Sequence, residues 1–236
     1  MLTINADLSC APLYPTGLPH PSALLKQMEV IAGTDLEQRG LPYEVLRSRG
    51  MVFVLTSTEL ELTGRYRPKE PVSLHTRAVG VRGPYFYRDF FLSQGGQEFG
   101  NAVTRWVLMD FNTRHILRPA QLPELQPDPP AARAAARFEK LKSLELQKLG
   151  DRQVRYSDLD INRHLNNIIY FDIAVDFAPV PLEDSQVTGV MINYRKECLL
   201  GDVLELWGCP LQDGFYVEGR QGETRCFDVQ VRLAPL

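Results

Sequence analysis

The run Ile168-Ile169-Tyr170-Phe171-Asp172-Ile173-Ala174-Val175-Asp176-Phe177 is apolar on nearly every side of a helix, broken only by Asp172 and Asp176. A helix of that kind does not lie on a surface; it has to be surrounded. Asn166 or Asn167 can cap its start and Pro179 follows its end, which predicts a buried helix over about 166–177. The material to surround it comes next. Segments near Val187–Leu199, Val203–Trp207, Phe215–Glu218 and Cys226–Leu233 are β-branched and aromatic, and they read as antiparallel strands.

The first half has the same order. Residues 1–20 read as loop, broken by Pro12, Pro15, Gly17 and Pro19. A helix is expected from Ser22 through Leu24, Leu25, Met28, Val30, Ile31 and Ala32 to Gly33. After a polar excursion over Gly40–Gly50, strands are expected at Met51–Leu62, Val72–Val81, Tyr85–Leu92 and Asn101–Phe111, with turns at Arg67-Pro68-Lys69, Arg82-Gly83-Pro84 and Gln94-Gly95-Gly96. Matching the halves sets Glu70–Leu74 opposite Asp202–Leu206, and Pro19-His20-Pro21 opposite Arg163-His164-Leu165. The expectation is an α+β chain of two tandem hotdog domains, each a long central helix wrapped by an antiparallel sheet. The domains are read as 1–118 and 138–236, joined by a stiff, surface-bound Pro/Ala-rich linker over 119–137. Ala131–Leu149 reads as helix-prone at its start, and its basic residues as a solvated face.

Asp158, Asp160, Asn162, His164, Asn166 and Asn167 crowd just before the second helix. Asp and Asn commonly act there as caps and turn formers, and a lone His is usually structural. One or two such residues satisfy a helix start, however, and Asp160-x-Asn162-x-His164 supplies a carboxylate, an amide and an imidazole in alternation. Those are a base or nucleophile, an orienter and a proton carrier, the ingredients of acyl transfer. Helix N-terminal amides near Asn166 and the positive dipole end would favour an oxyanion.

The run resembles the D-x-N-x-H-x-N-N signature of the acyl-acyl carrier protein thioesterases, plant and bacterial enzymes that release fatty acids during synthesis. Tyr194-Arg195-Lys196-Glu197-Cys198 is similar to that family's second motif, and Thr104–Asp110 to its Trp-bearing strand. Two departures stand out: the family has Gly or Gln where Arg163 stands, and a Trp expected near Val52–Val54 is missing. The resemblance implies tandem hotdogs, with much of the acyl chain held by the first domain, and an acyl carrier protein bearing a fatty acyl thioester as partner. It implies catalytic roles for Asp160, Asn162, His164 and Glu197, and no cofactor.

In the first copy, Tyr14, Thr16, Leu18 and Pro19 stand opposite Asp158, Asp160, Asn162 and Arg163, and Arg65 opposite Glu197; only His20 is kept. Chemistry is therefore expected in the second copy alone, with Leu24, Leu25, Met28 and Ile31 walling an acyl tunnel in the first. Direct attack by Asp160 and attack by activated water both fit the residues. A thiol triad of Cys198, His164 and Asn162 is a third reading. Adjacent strand residues face opposite ways, so only one of Glu197 and Cys198 should reach the site, unless a bulge near Lys196 resets the alternation. An acyl-CoA thioesterase and a non-catalytic acyl-binding hotdog are the rival functions. A metal site is the weakest reading, because His20, His75 and His115 lie in the other half.

Net charge is −3, which suggests neither nucleic acid nor an anionic membrane as a general partner. Arg152, Arg155, Arg163, Arg195 and Lys196 nevertheless gather around the two motifs, a basic surface suited to an acidic carrier protein. No apolar run approaches the roughly 20 residues of a membrane span. The N-terminus lacks the basic-then-apolar pattern of a signal peptide, so none is expected, and the transit peptide that the resemblance to the plant enzymes would imply is not expected either. The four scattered cysteines read as reduced, buried residues of a cytoplasmic protein, and a homodimer is compatible with the sequence.

Overall fold

The computed structural model describes all residues except 1, 10, 65, 68, 69, 126–137, 139, 140 and 142. It divides into two compact units: Met1–Pro12 with Ala23–Ala136, and Leu13–Ser22 with Arg137–Leu236. In chain order the elements are β1 (Leu2–Ala6), α1 (Pro21–Gln38), α2 (Tyr43–Ser48), β2 (Met51–Leu62), β3 (Val72–Arg82), β4 (Tyr85–Gln94) and β5 (Gln97–Asp110). There follow β6 (Gln147–Gln153), α3 (Ile169–Asp176), β7 (Ser185–Tyr194), β8 (Val203–Leu211), β9 (Gly214–Gln221) and β10 (Thr224–Pro235).

The first unit's strands run in the order β1-β3-β4-β5-β2, and the second unit's in the order β6-β8-β9-β10-β7, all antiparallel. Each strand of one unit has its counterpart at the same place in the other. Each unit is thus a hotdog, and Val72 and Val203 begin the equivalent strands β3 and β8.

α1 keeps Leu24, Met28 and Ile31 on one buried stripe at helical spacing. With Leu25 these side chains are at most 5% exposed, so the stripe read as a tunnel wall is closed into core. The helix runs past Gly33 and stops at Gly40, whose φ is +74°. There the Leu41 N–H donates to the Leu36 carbonyl and the Gly40 N–H to the Glu37 carbonyl, the paired bonds of a Schellman cap. Gly33 allows a stop but has no such partners. Leu41 then joins Leu46 of α2, Phe86, Leu108 and Leu122 in a buried cluster. Leu122 anchors the Pro-rich segment at its start, because its side chain is core and not surface.

α1 also carries a buried charge. Asp35 accepts from Arg88 Nη2 of β4 at 2.7 Å and from Arg39 Nε at 2.9 Å. The second unit's core is apolar at its centre: Tyr170 and Phe171 of α3 are buried, and the Tyr170 ring meets Phe227 of β10 edge-on at 4.9 Å.

The loop expected over 1–20 contains β1, and Gln147–Gln153, expected at the end of a helix-prone run, is β6. Residues 131–137 of that run, Arg65, and Pro68 and Lys69 of an expected turn lie outside the described residues. Among the described residues no helix is long and apolar enough to cross a membrane.

Candidate active site

β6 delivers the chain to Val154, which trades backbone bonds with the loop before β8: Val154 N–H to Asp202 O at 2.8 Å and Gly201 N–H to Val154 O at 3.0 Å. A 3-10 turn at Tyr156–Asp158 follows. Asp158 is buried and structural. Its carboxylate accepts from Arg152 Nη2 at 2.9 Å and from the Arg155 N–H at 2.7 Å, and its carbonyl takes the Asn166 N–H at 2.9 Å.

The chain then makes a small hairpin, bridged between Leu159 and Leu165. The Asp160 N–H donates to the His164 carbonyl at 2.9 Å, and the Arg163 N–H to the Asp160 carbonyl at 3.0 Å. Arg163 takes φ +63°, a conformation easiest for glycine, at the position where the sequence resemblance expects Gly or Gln. Inside the loop, Asp160 Oδ1 accepts the N–H of Asn162 at 2.8 Å and of His164 at 3.2 Å, while Oδ2 lies 3.4 Å from Asn162 Nδ2. Sequence alternation has become one turn folded about one carboxylate.

Two ties carry this hairpin to the segment that follows β7. The Leu165 N–H donates to the Cys198 carbonyl at 2.8 Å, and His164 bridges Leu199. His164 Nε2 thereby comes to 3.5 Å from Glu197 Oε2, both side chains about one-third exposed. Beyond the hairpin, Asn166 Oδ1 accepts the Ile168 N–H at 3.1 Å, and the Tyr194 hydroxyl donates to the Asn167 carbonyl at 3.1 Å, steadying the approach to α3.

β7 ends at Tyr194, and just beyond that residue the N–H groups of Arg195 and Lys196 both donate to the Cys226 carbonyl. Past it, Cys198 points inward, with no exposed surface, and Glu197 points to His164. The neighbouring Cys226 sulfur and burial push the Cys198 thiol well above its ordinary range, so it holds its proton. The hairpin's own bonds bring Asp160, Asn162 and His164 together and His164 reaches Glu197, while Cys198 is buried.

The acyl-ACP thioesterase N-terminal domain matches residues 20–121 of this sequence, and the acyl-ACP thioesterase C-terminal domain matches residues 141–224. The chain belongs to the acyl-ACP thioesterase family. It is 28% identical over 142 residues to the oleoyl-acyl carrier protein thioesterase 2 of Arabidopsis thaliana, covering 54% of this chain and 37% of that protein. It is 30% identical over 129 residues to a palmitoyl-acyl carrier protein thioesterase of Gossypium hirsutum, covering 50% and 31%. The matched stretch therefore spans under two-fifths of these relatives' own length. In fold the chain is similar to an acyl-ACP thioesterase from Bacteroides thetaiotaomicron, with a TM-score of 0.83 at 22% identity over 98% of this chain and 97% of that one. It is similar as well to the 12:0-ACP thioesterase of Umbellularia californica, with a TM-score of 0.85 at 16% identity over 100% and 97%.

Within this family member the first copy's hairpin is preserved as backbone. Leu13 bridges Pro19, the Tyr14 N–H donates to the Leu18 carbonyl, the Gly17 N–H donates to the Tyr14 carbonyl, and Gly17 has φ +77°. Matching these bonds sets Tyr14 opposite Asp160, Thr16 opposite Asn162, Gly17 opposite Arg163 and Leu18 opposite His164. The register read from sequence, anchored on the two histidines, is off by two residues. His20 is no counterpart of His164; it stands opposite Asn166 and stacks on Tyr14 at 3.9 Å between ring centroids. Tyr14, His20 and Ser22 lie in the same unit as α3. There burial raises the Asp172 carboxyl above the usual range, only partly offset by a hydrogen bond with Ser22 and the field of His20.

Of the basic residues near the motifs, Arg152 is bound to Asp158, Arg195 Nε to Asp228 at 2.6 Å, and Lys196 Nζ to Gln221 at 2.7 Å. Asp228 also accepts from Asn193 Nδ2 at 2.7 Å. Asn193, Arg195 and Asp228, with Tyr216, Glu218 and Arg225, line a concavity of about 790 Å³. Arg155 and Arg163 are exposed. Sequence reasoning missed Asp158 as the hairpin's buried anchor and Tyr194 as the support of Asn167. The arginines flanking Asp158, at positions 152 and 155, were the available signal for the first.

Proposed function

We propose that this chain is a thioester hydrolase that releases free fatty acid from acyl-acyl carrier protein and so terminates chain elongation, in a cytoplasmic setting. The observation that carries the reading is the 3.5 Å approach of His164 Nε2 to Glu197 Oε2, beside a hairpin that holds the Asp160 carboxylate on the amides of Asn162 and His164. Family membership supports it from outside the geometry.

A thioester needs its carbonyl polarised and attacked, and its thiolate leaves with little acid help. Bonds to Asp158 and to the Asn166 side chain occupy the N–H groups of Asn166 and Ile168, which makes the Asn167 N–H between them the donor we assign to the oxyanion. Asp160 already accepts two amides through Oδ1, which stabilises its charge and blunts it as a nucleophile. Water is therefore the attacking group in this reading. Glu197 takes its proton, His164 carries it to the departing sulfur, and Asp160 with Asn162 orients the carbonyl.

The test is hydrolysis of carrier-protein and CoA thioesters across chain lengths. Carrier-protein substrates are expected to give the higher kcat/KM; preference for CoA or no turnover at all overturns the reading. Glu197→Gln keeps size and removes charge, and should lower kcat by about a hundredfold or more, while Cys198→Ala keeps most activity. An acyl adduct on Cys198, seen by mass spectrometry, would reverse that assignment.

A further inference from the structure

The second unit leaves a group of large apolar side chains in water, on the loops that carry and adjoin His164 and Glu197. Ile161 is 85% exposed and Tyr156 83%, with Leu200, Val203 and Leu199 at 56%, 52% and 49%. Backbone bonds join their loops: Leu165 to Cys198, Val154 to Asp202, Gly201 to Val154, and the bridge of His164 with Leu199. A single exposed apolar residue is ordinary, but several on loops bonded to one another, with cations nearby, point to an interaction surface.

The carboxylates nearby are engaged: Asp158 accepts from Arg152 and from the Arg155 N–H, Asp160 Oδ1 accepts two amides of its own turn, and Asp202 Oδ2 accepts the Leu199 N–H at 2.8 Å. Arg155 and Arg163 are exposed, next to Tyr156 and two residues from Ile161 in the chain. An apolar centre beside cations is complementary to a partner with an apolar stripe edged by carboxylates. A second copy fits less well, since a two-fold contact of this patch with itself would bring its exposed arginines onto a patch that carries the same arginines. An anionic bilayer fits poorly too, with two arginines on a chain of net charge −3.

We propose that Tyr156, Ile161, Leu199, Leu200 and Val203, rimmed by Arg155 and Arg163, form the docking surface for the acidic carrier protein that delivers the acyl thioester to His164 and Glu197. This rests on the hydrolase reading above. Docking here holds the carrier beside His164 and Glu197, within reach of the arm that bears the thioester.

The experiment compares one acyl chain on acyl carrier protein and on pantetheine, in the full chain and in a Tyr156→Ser/Leu200→Ser/Val203→Ser variant. The variant should lose at least about tenfold in kcat/KM on the carrier substrate, through KM, and stay within about twofold on the pantetheine ester. An Arg155→Glu/Arg163→Glu variant should lose carrier activity and most of its salt dependence. Equal loss on both substrates, or no loss on either, overturns the proposal. So does a wild-type dimer that the serine variant dissociates in sedimentation, or vesicle binding to phosphatidylglycerol that the same variant abolishes. Wild type inactive on both esters would instead sink the hydrolase reading, and this proposal with it.

Discussion

Two hairpins of this chain have the same backbone and opposite contents. Leu13–Pro19 and Leu159–Leu165 share a bridge, a closing pair of hydrogen bonds and one left-handed residue at the same place. One presents tyrosine, threonine and leucine where the other presents aspartate, asparagine and histidine. The lesson is that the turn itself carries no chemistry. Its geometry survives with Tyr14 in place of Asp160, so the carboxylate bonded inside the second loop is not required to close it. The first hairpin serves packing, through the Tyr14–His20 stack.

The widest gap between the two is expected in turnover. His164→Ala should cut kcat by about 10²- to 10⁴-fold, the span of a positioned acid–base group, whereas Leu18→Ala and His20→Ala should change it little in folded protein. Steady-state kinetics on a carrier-protein ester decides this; similar losses at His20 and His164 would erase the contrast.

The central helices differ as the hairpins do, because α1 carries the Asp35–Arg88 ion pair and α3 packs Tyr170 on Phe227. Asp35→Ala strands a buried guanidinium and should cost about 3–5 kcal/mol, read as a shift in denaturant midpoint. Tyr170→Phe removes only a hydroxyl and should cost about 1 kcal/mol.

At the left-handed positions the effect is smaller. A Cβ at Gly17 meets nothing within 4 Å, so Gly17→Ala should cost only the conformational strain, about 1–2 kcal/mol. Arg163→Gly relieves that strain and should raise stability by less than about 1 kcal/mol in thermal unfolding.

The smallest difference concerns pH. Burial raises the folded-state pKa of Asp172, so its ionisation opposes folding: its contribution is fully present below the unfolded pKa and is lost as pH rises through the folded one. Asp172→Asn cannot ionise. It should match the wild type near pH 3 and exceed it in stability at pH 7; unfolding curves at the two pH values that run parallel would remove Asp172 from this account.

Much of the fold was legible in order and pattern. β2 spans Met51–Leu62, the bounds read from its β-branched and aromatic character, and the internal match sets Val72, the first residue of β3, opposite Leu204, the second of β8, both buried. The apolar run of α3 announced a surrounded helix, and four of its eight residues are buried. The crowding of Asp160, Asn162, His164 and Glu197 could be read as chemistry because capping needs fewer groups. These signals are local, written in side-chain period and residue type.

What only the tertiary structure decided depends on partners far along the chain. β1 and β6 are short edge strands with little apolar pattern of their own, formed because β3 and β8 offer them unpaired backbone. α1 ends at Gly40 and not Gly33 because its cap is completed by Leu41, whose side chain is drawn into the first unit's core. The hairpin register follows backbone bonds and a left-handed φ, not the histidines that invited the sequence match. That Glu197 and not Cys198 meets His164 was settled past the end of β7, where Cys198 keeps the buried face of Val190 and Ile192 and its carbonyl takes the Leu165 N–H. Sequence specifies which groups are available; long-range backbone pairing sets where each one points.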